Sequence, residues 1–191
     1  EPREKRIRAD IIGLFEANLF GMGVHAECLA AAHKAATLCA GLGHHVEPLS
    51  LEALPFLEMA GSMGVVTASG MLHTVRVREK ALGREAREDE FEPLDWQSMQ
   101  KAKNYSAGQI LGARAVFDQA GRILDEVFSR YDLILSPTTA ALPPKLGALS
   151  LDQPFESYAR NAVQASAFTS MFNMTGLPAM SDDSGLMVDA L

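Results

Sequence analysis

Twice along this chain a helix-length amphipathic stretch stops at a turn and gives way to a short apolar run. That repeated helix-to-strand unit narrows the fold more than any other feature. In the first unit Leu29, Ala32, Ala36 and Cys39 recur at spacings of three and four between Val24 and Gly41, which marks one apolar stripe on a helix. Gly41 and Gly43 stop it, and His45-Val46-Glu47-Pro48-Leu49 follows as a strand that ends at a turn. In the second, Ser106 and Gln109 form a capping box, and Ile110, Phe117, Leu124 and Phe128 carry the apolar face onward. Tyr131-Asp132-Leu133-Ile134-Leu135-Ser136-Pro137 then reads as a strand buried on both faces and closed by proline. Parallel neighbours need crossovers of roughly a dozen residues or more, which helices supply. The strands near Val46 and Leu133 are therefore expected in one mixed or parallel sheet, covered by the helices ending near Gly41 and Arg130. The fold class is α/β, with a mixed sheet sandwiched by helices.

The remaining segments fit around these units. Ser50 opens another helix, and from Pro55 to Leu82 a helical pattern is interrupted by Gly61, Gly64 and Gly70, which predicts closely packed or broken helices. The charge-dense run Gly83 to Glu92 is a solvated loop, too short to separate domains. Pro143-Pro144 and Gly147 make a further loop. Ser157 to Phe172 reads as a helix with Tyr158, Val163, Phe168 and Phe172 on its apolar face, stopped at Asn173-Met174-Thr175-Gly176. Leu177 to Ser181 leads into another strand. Residues 1–191 read as a single, partial domain, and an opening residue of Glu rather than Met suggests a piece of something longer.

Charge excludes some function classes. The chain has 17 basic against 24 acidic residues, a net charge of -7, and its only basic cluster lies between Arg3 and Arg8. Nucleic-acid binding is not expected. No apolar run approaches the roughly 20 residues that span a bilayer, and the charged opening is no signal peptide, so a cytoplasmic location is expected. Cys28 and Cys39 fall in one helix, where eleven residues rise about 16 Å. A disulfide needs Cα atoms under about 7 Å apart. The same rise keeps His25, Cys28, Cys39 and His44 from converging on one metal. His44 and His45 are placed at a helix end, where imidazoles interact with the last carbonyls.

No serine sits in a Gly-x-Ser-x-Gly elbow. Gly61-Ser62-Met63-Gly64 comes nearest, and small residues that let helices approach account for it better. Lys145 could serve as a base in a hydrolase that activates serine with a buried lysine, but a lysine after Pro143-Pro144 is ordinarily a surface residue.

Three blocks taken together resemble the amidase signature family: Gly23-Val24-His25-Ala26-Glu27-Cys28 running to Leu42-Gly43-His44-His45-Val46-Glu47, then Tyr131 to Thr139, then Phe168 to Ser181. Glu92-Pro93-Leu94-Asp95-Trp96 is most similar to the branch of bacterial amidases that includes hydrolases of aminohexanoate cyclic dimers. The resemblance covers nearly the whole chain but only the family's second half, beyond the Gly/Ser-rich signature of the reaction centre. It implies a parent enzyme that hydrolyses a small amide with a Ser-Ser-Lys mechanism and needs no metal or organic cofactor. No catalytic residue is expected in this chain. A rival reading is a non-catalytic, amidase-like binding or scaffolding module.

What the resemblance carries over is a pocket wall. In the family the helix before the Asn-x-x-Gly-x-Pro stop turns one face toward substrate, and here that face would carry Val163, Ser166 and Ser170, a stripe that packing against the sheet would explain equally. Members acting on glutamine resemble one another in an acid near Ser166 and an arginine near Phe117. This sequence has neither charge, so Phe117 and Ser166 favour an uncharged, partly apolar amide. After Ser181 the family pattern breaks off at Asp182-Asp183-Ser184-Gly185, and a gap is expected there. The sheet edge beside Tyr131 to Ser136 would then lie open and allow a homodimer.

Overall fold

A computed structural model of the chain describes residues 10–18 and 20–181. Its sheet is built on a strand that the sequence pattern does not announce, β1 (Ile11–Leu14). The two expected strands, β2 (His45–Pro48) and β3 (Leu133–Leu135), both run parallel to β1 and flank it, in the order β2-β1-β3. Ile12 stands opposite Val46 on one side and Leu133 on the other. The expected strands thus share one parallel sheet without touching. Backbone bonds extend the ladders past the strand ends: Leu49 N donates to Leu14 O at 2.8 Å and Phe15 N to Leu135 O at 2.8 Å.

The crossover from β1 to β2 is α1 (Ala26–Gly41), which packs on β2. His25 caps its start by accepting from the Glu27 N–H at 3.3 Å. Its exit needs a residue at positive φ, and Gly43 supplies it at 96° while donating to Ala40 O at 3.0 Å. The turn leads straight into β2. His44 does not meet the last carbonyls as expected; its Nδ1 accepts from the Asp10 N–H at 3.1 Å, which ties the entrance of β1 to the start of β2.

Three helices fill the space before β3: α2 (Phe56–Leu82), α3 (Pro93–Ala102) and α4 (Ala107–Phe128), with α2 lying against both others. The capping box of α4 forms as expected, with Gln109 N donating to Ser106 Oγ at 3.2 Å and Ser106 N to Gln109 Oε1 at 2.9 Å. Two expectations fail in this region. No helix begins at Ser50: Leu51 and Leu54 fold inward in a turn closed by Leu54 N to Leu51 O at 3.0 Å, and both are buried. Pro55 disfavours helical backbone at the residue before it, so α2 starts at Phe56. Nor is α2 broken or closely packed at its glycines, because it is one helix of 27 residues and a Cβ at Gly61, Gly64 or Gly70 would meet nothing within 4 Å. Packing against α3 and α4 outweighs about 1 kcal/mol of helix propensity lost per glycine.

The main core lies where these helices meet the sheet. Phe15, Leu51, Phe56, Met59, Ala120 and Leu124 form its buried centre, with Ile134 of β3 packed against it. On the sheet itself one close approach decides a residue. A Cβ on Gly13 would lie 2.8 Å from Leu49 Cδ2, 3.0 Å from Leu49 Cβ and 3.2 Å from Tyr131 Cδ1. Across that gap the Tyr131 hydroxyl donates to Glu47 Oε1 at 2.8 Å, so a side chain at the start of β3 reaches β2 over the central strand. Hydrogen bonds from Tyr131 and His45, with Arg130 nearby, hold the Glu47 carboxyl below its usual range.

The charged run after α2 is exposed, as expected, yet ordered by its own charges. Arg84 donates to both carboxylate oxygens of Glu90, at 3.0 and 2.6 Å, and Arg87 N donates to Glu90 Oε2 at 3.0 Å over a short 3₁₀ turn at Glu88–Glu90. Leu177–Ser181 is extended without strand pairing, and the strand it is expected to lead into lies outside the described residues. The gap expected at Ser181 to Asp182 lies outside the described residues.

Two outcomes follow. Gly13→Ala forces Leu49 and Tyr131 apart and should lower unfolding stability by about 1–3 kcal/mol in a denaturant titration, whereas Ala substitution at Gly61 should be neutral or stabilising. Glu90 is held down from 4.5 to about 2, first by its hydrogen bonds from Arg84. A depressed carboxyl contributes stability above its unfolded pKa and loses it as pH falls toward the folded value. The Glu90 contribution should therefore be complete above pH 4.5 and fade between 4.5 and about 2. Carboxyl NMR of Arg84→Ala should show Glu90 titrating nearer its ordinary value.

Candidate functional site

Because β1, β2 and β3 run the same way, their carboxyl ends lie on one side, where open α/β sheets place their ligand crevices. The chain segments that leave those ends are stitched together by backbone. Ala140, in the loop after β3, donates to Gln164 O at 2.9 Å and accepts from His25 N at 2.8 Å. Gln164 lies in α5 (Phe155–Ser166), and a second short helix, α6 (Ser170–Thr175), follows.

The single helix expected from Ser157 to Phe172 is thus split at 167–169. The reason is burial. Ala167 and Phe168 turn fully inside, and the Phe168 ring meets Phe15 edge to face at a centroid distance of 5.7 Å. Phe15 directly follows β1, so the turn between α5 and α6 is seated on the carboxyl end of the central strand.

This split redistributes the three candidate wall residues of the expected helix. Val163 and Ser166 are half-buried on α5, while Ser170 is the first residue of α6 and is 6% exposed. They do not share one helical stripe. Ser166 Oγ donates back to Ala162 O at 2.7 Å, a local bond that leaves its lone pairs open. Ser170 Oγ is enclosed and has no hydrogen-bond partner. Phe117 is half-buried on α4, and α6 packs on that helix, which makes the supports of Phe117 and Ser170 neighbours.

Sequence reasoning misses two polar side chains at the same edge. Asn18, 8% exposed just after β1, accepts from Phe20 N at 2.9 Å through Oδ1 and leaves Nδ2 unpaired. Gln164 leaves Oε1 unpaired while Nε2 sits 3.8 Å from Met22 Sδ. Asn18 could have been flagged only with β1 already assigned, because its place at a strand end is what makes it notable. Buried amides without partners are uncommon and destabilising.

No hydrolytic centre assembles from these groups. Among the described residues neither Ser166 nor Ser170 is hydrogen-bonded to a basic side chain, Ser136 Oγ donates to Pro137 O at 3.1 Å, and Lys145 is exposed. His33 pairs with Glu16 and His45 with Glu47, and Cys28 and Cys39 are free thiols. Among the described residues no group of three or more His, Cys, Asp or Glu could hold a metal ion, and no helix is long and apolar enough to cross a membrane.

Comparison with known proteins gives this edge its context. The chain is 26% identical over 191 residues to the 6-aminohexanoate-cyclic-dimer hydrolase of Paenarthrobacter ureafaciens, covering 94% of this chain and 38% of that protein. A shorter stretch of 61 residues, 32% of this chain and 13% of the relative, is 44% identical to one subunit of the glutamyl-tRNA(Gln) amidotransferase of Halobacterium salinarum. A solved 6-aminohexanoate cyclic dimer hydrolase superposes with a TM-score of 0.76 at 25% identity, over 88% of this chain and 36% of that one. A bacterial aryl acylamidase of the amidase signature family shares the fold, with a TM-score of 0.70 at 20% identity over 93% of this chain and 38% of its own. The chain therefore spans about 38% of the length of the curated hydrolases it matches. The family model for amidases matches residues 3–190, and the chain belongs to the amidase family.

Proposed function

We propose that the complete protein hydrolyses the C–N bond of a small, uncharged amide through a Ser-Ser-Lys mechanism whose catalytic residues lie outside these 191 residues, and that this chain supplies one wall of the substrate pocket. The observation that carries the reading is the seating of the α5–α6 turn on the carboxyl end of β1, within a chain matched by the amidase model over residues 3–190. That turn brings Ser166 and Ser170 to the side of the sheet where ligand crevices form. Its relatives include hydrolases named for a cyclic amide dimer.

Each wall residue has a role suited to a neutral ligand. Val163 offers apolar contact, Ser166 can accept through the lone pairs its back-bond leaves free, and Ser170 becomes a donor or acceptor when substrate opens its enclosure. Phe117 stands where a charge-binding pocket would present arginine. A free amino acid's carboxylate would find no guanidinium there. The residues of this chain position the amide, and the acyl transfer itself draws on an activated serine and oxyanion donors beyond it.

Two measurements test the reading. A fluorophosphonate probe should label the complete protein on a serine outside this chain, located by mass spectrometry. A stoichiometric adduct on a serine within it, Ser62 or Ser136 first, would refute the assignment, and no labelling at all would favour a binding module. Val163→Ala should raise KM for a neutral amide by roughly tenfold with a smaller change in kcat, as expected when methyl groups are lost from an apolar pocket. A melting temperature that drops with KM unchanged would make Val163 a packing residue only.

A further inference from the structure

Residues 141–166 leave the body of the fold and return to it at one place. Ala140, 1% exposed, and Ala167, 0% exposed, are fixed inside at the two ends, whereas none of the residues between them, all of them described, is buried. The ends meet at a neck. Ala140 N donates to Gln164 O at 2.9 Å, and Thr139 Oγ1 donates to Ala141 O at 2.9 Å beside it. A segment whose ends are drawn together in this way is held at its base and free at its tip, as Ω-loops are.

Beyond the neck the segment is bound to itself more than to its surroundings. Ala148 O accepts from Gln153 Nε2 at 2.9 Å and from Asn161 Nδ2 at 2.7 Å, which fastens the loop to α5. Gln153 Nε2 also donates to Ser150 O at 2.7 Å, and Gly147, at φ 86°, opens a turn that Ser150 N closes by donating to Gly147 O at 3.0 Å. These bonds travel with the segment wherever it goes.

Its hold on the rest of the chain is slight. Among the described residues, none of its apolar side chains packs against the main core or against the smaller cluster of Ala68, Leu72 and Ala102. Past the neck two polar contacts reach the body, both on α3 and both weak. Leu94 N lies 3.4 Å from Leu151 O, longer than an ordinary amide bond, and the Lys101 ammonium stands 6.0 Å from the centre of the exposed Phe155 ring. Lifting the segment would uncover little apolar surface and break no strong bond, so opening costs little.

The neck sits in the loop after β3, at the carboxyl edge of the sheet, and Val163 and Ser166 flank Gln164 in the last turn of α5. We propose that 141–162 is a lid on the amide pocket: it pivots on that last turn, lifts from α3 to admit a small uncharged amide, and closes over the ligand resting on Val163 and Ser166. The contacts of Leu151 and Phe155 with α3 are its latch. A body that keeps its own hydrogen bonds while a few residues at its base absorb the change is the usual form of hinged closure, and a closed lid shields the reacting amide from bulk water. The proposal rests on the reading of Val163 and Ser166 as pocket wall.

Hydrogen exchange on the complete protein, without ligand, reads the lid directly. Amides of 141–162 should exchange at least about tenfold faster than those of α4, and with a common rate, as a unit that opens together does. The latch is tested by joining it. In Leu94→Cys/Leu151→Cys, with the bridge confirmed by peptide mapping and the fold by circular dichroism, oxidation should lower amide turnover by at least about tenfold and slow exchange of 141–162, and reduction should restore both. Exchange of 141–162 as slow as that of α4 would make the segment a fixed part of the wall and overturn the proposal, as would turnover indifferent to the bridge or a pair that does not oxidise. Exchange needs no variant, so it decides the matter even where the pair fails to fold. A complete protein without any amide turnover would count against the amidase reading instead, and the exchange rates would then judge the lid by themselves.

Discussion

Everything in this fold hangs on how closely β1 can be covered. The strand is central, flanked by parallel neighbours on both sides, and at Gly13 the side chains of Leu49 and Tyr131 close to within distances that leave no space for even a methyl group. The absence of a side chain there lets Tyr131 lie flat over the strand and hydrogen-bond Glu47 on the far neighbour. Three strands of at most four residues are thereby locked by side chains as well as by their ladders. Short parallel strands have few backbone bonds of their own, so the tyrosine strap contributes a real share of the cohesion.

With the sheet held, its carboxyl edge becomes a platform. Phe15 and Phe168 interlock there, and the aromatic contact converts what would be a continuous helix into two with a buried elbow. The elbow places Ser166 on an amphipathic helix that has no buried residue and Ser170 on a short helix pressed against α4. One wall therefore combines a loosely held element with a firmly packed one. The loosely held helix is anchored mainly by backbone and amide contacts, among them Asn161 Nδ2 to Ala148 O at 2.7 Å.

Much of this was legible in the sequence, for physical reasons that can be named. Capping at Ser106, the stop at Gly43 and the apolar periodicity of α1 and α4 are local, and local signals survive without tertiary context. What was not legible depended on distant partners. Ile11-Ile12-Gly13-Leu14 is too short to declare itself a strand, and its partners lie 34 and 121 residues away, as the contacts of Asp10 with His44 and of Ile11 with Asp132 show. The elbow at Ala167 was equally hidden, because Phe168 fits a helical stripe until Phe15 is known to be waiting for it. At the site, the order of Val163, Ser166 and Ser170 was readable but the break between them was not. The unpaired amides of Asn18 and Gln164 could emerge only from the packed structure.

The placement of β1 between strands so unequally distant in sequence has a consequence for how this sheet comes into being. Within these residues synthesis delivers β2 soon after β1, joined by one helix, but the opposite edge of β1 must wait for Asp132 and its neighbours, 121 residues later. Closing so wide a loop is entropically costly, although the cost grows only about 0.6 kcal/mol with each doubling of length. Contacts of such long range slow folding far more than they weaken the finished fold. Until β3 arrives, an apolar edge carrying Ile12 and Leu14 stays open to any passing strand, and an exposed edge of that kind is a nucleus for aggregation. A chaperone that shields nascent apolar segments would therefore have a longer task at β1 than at β3.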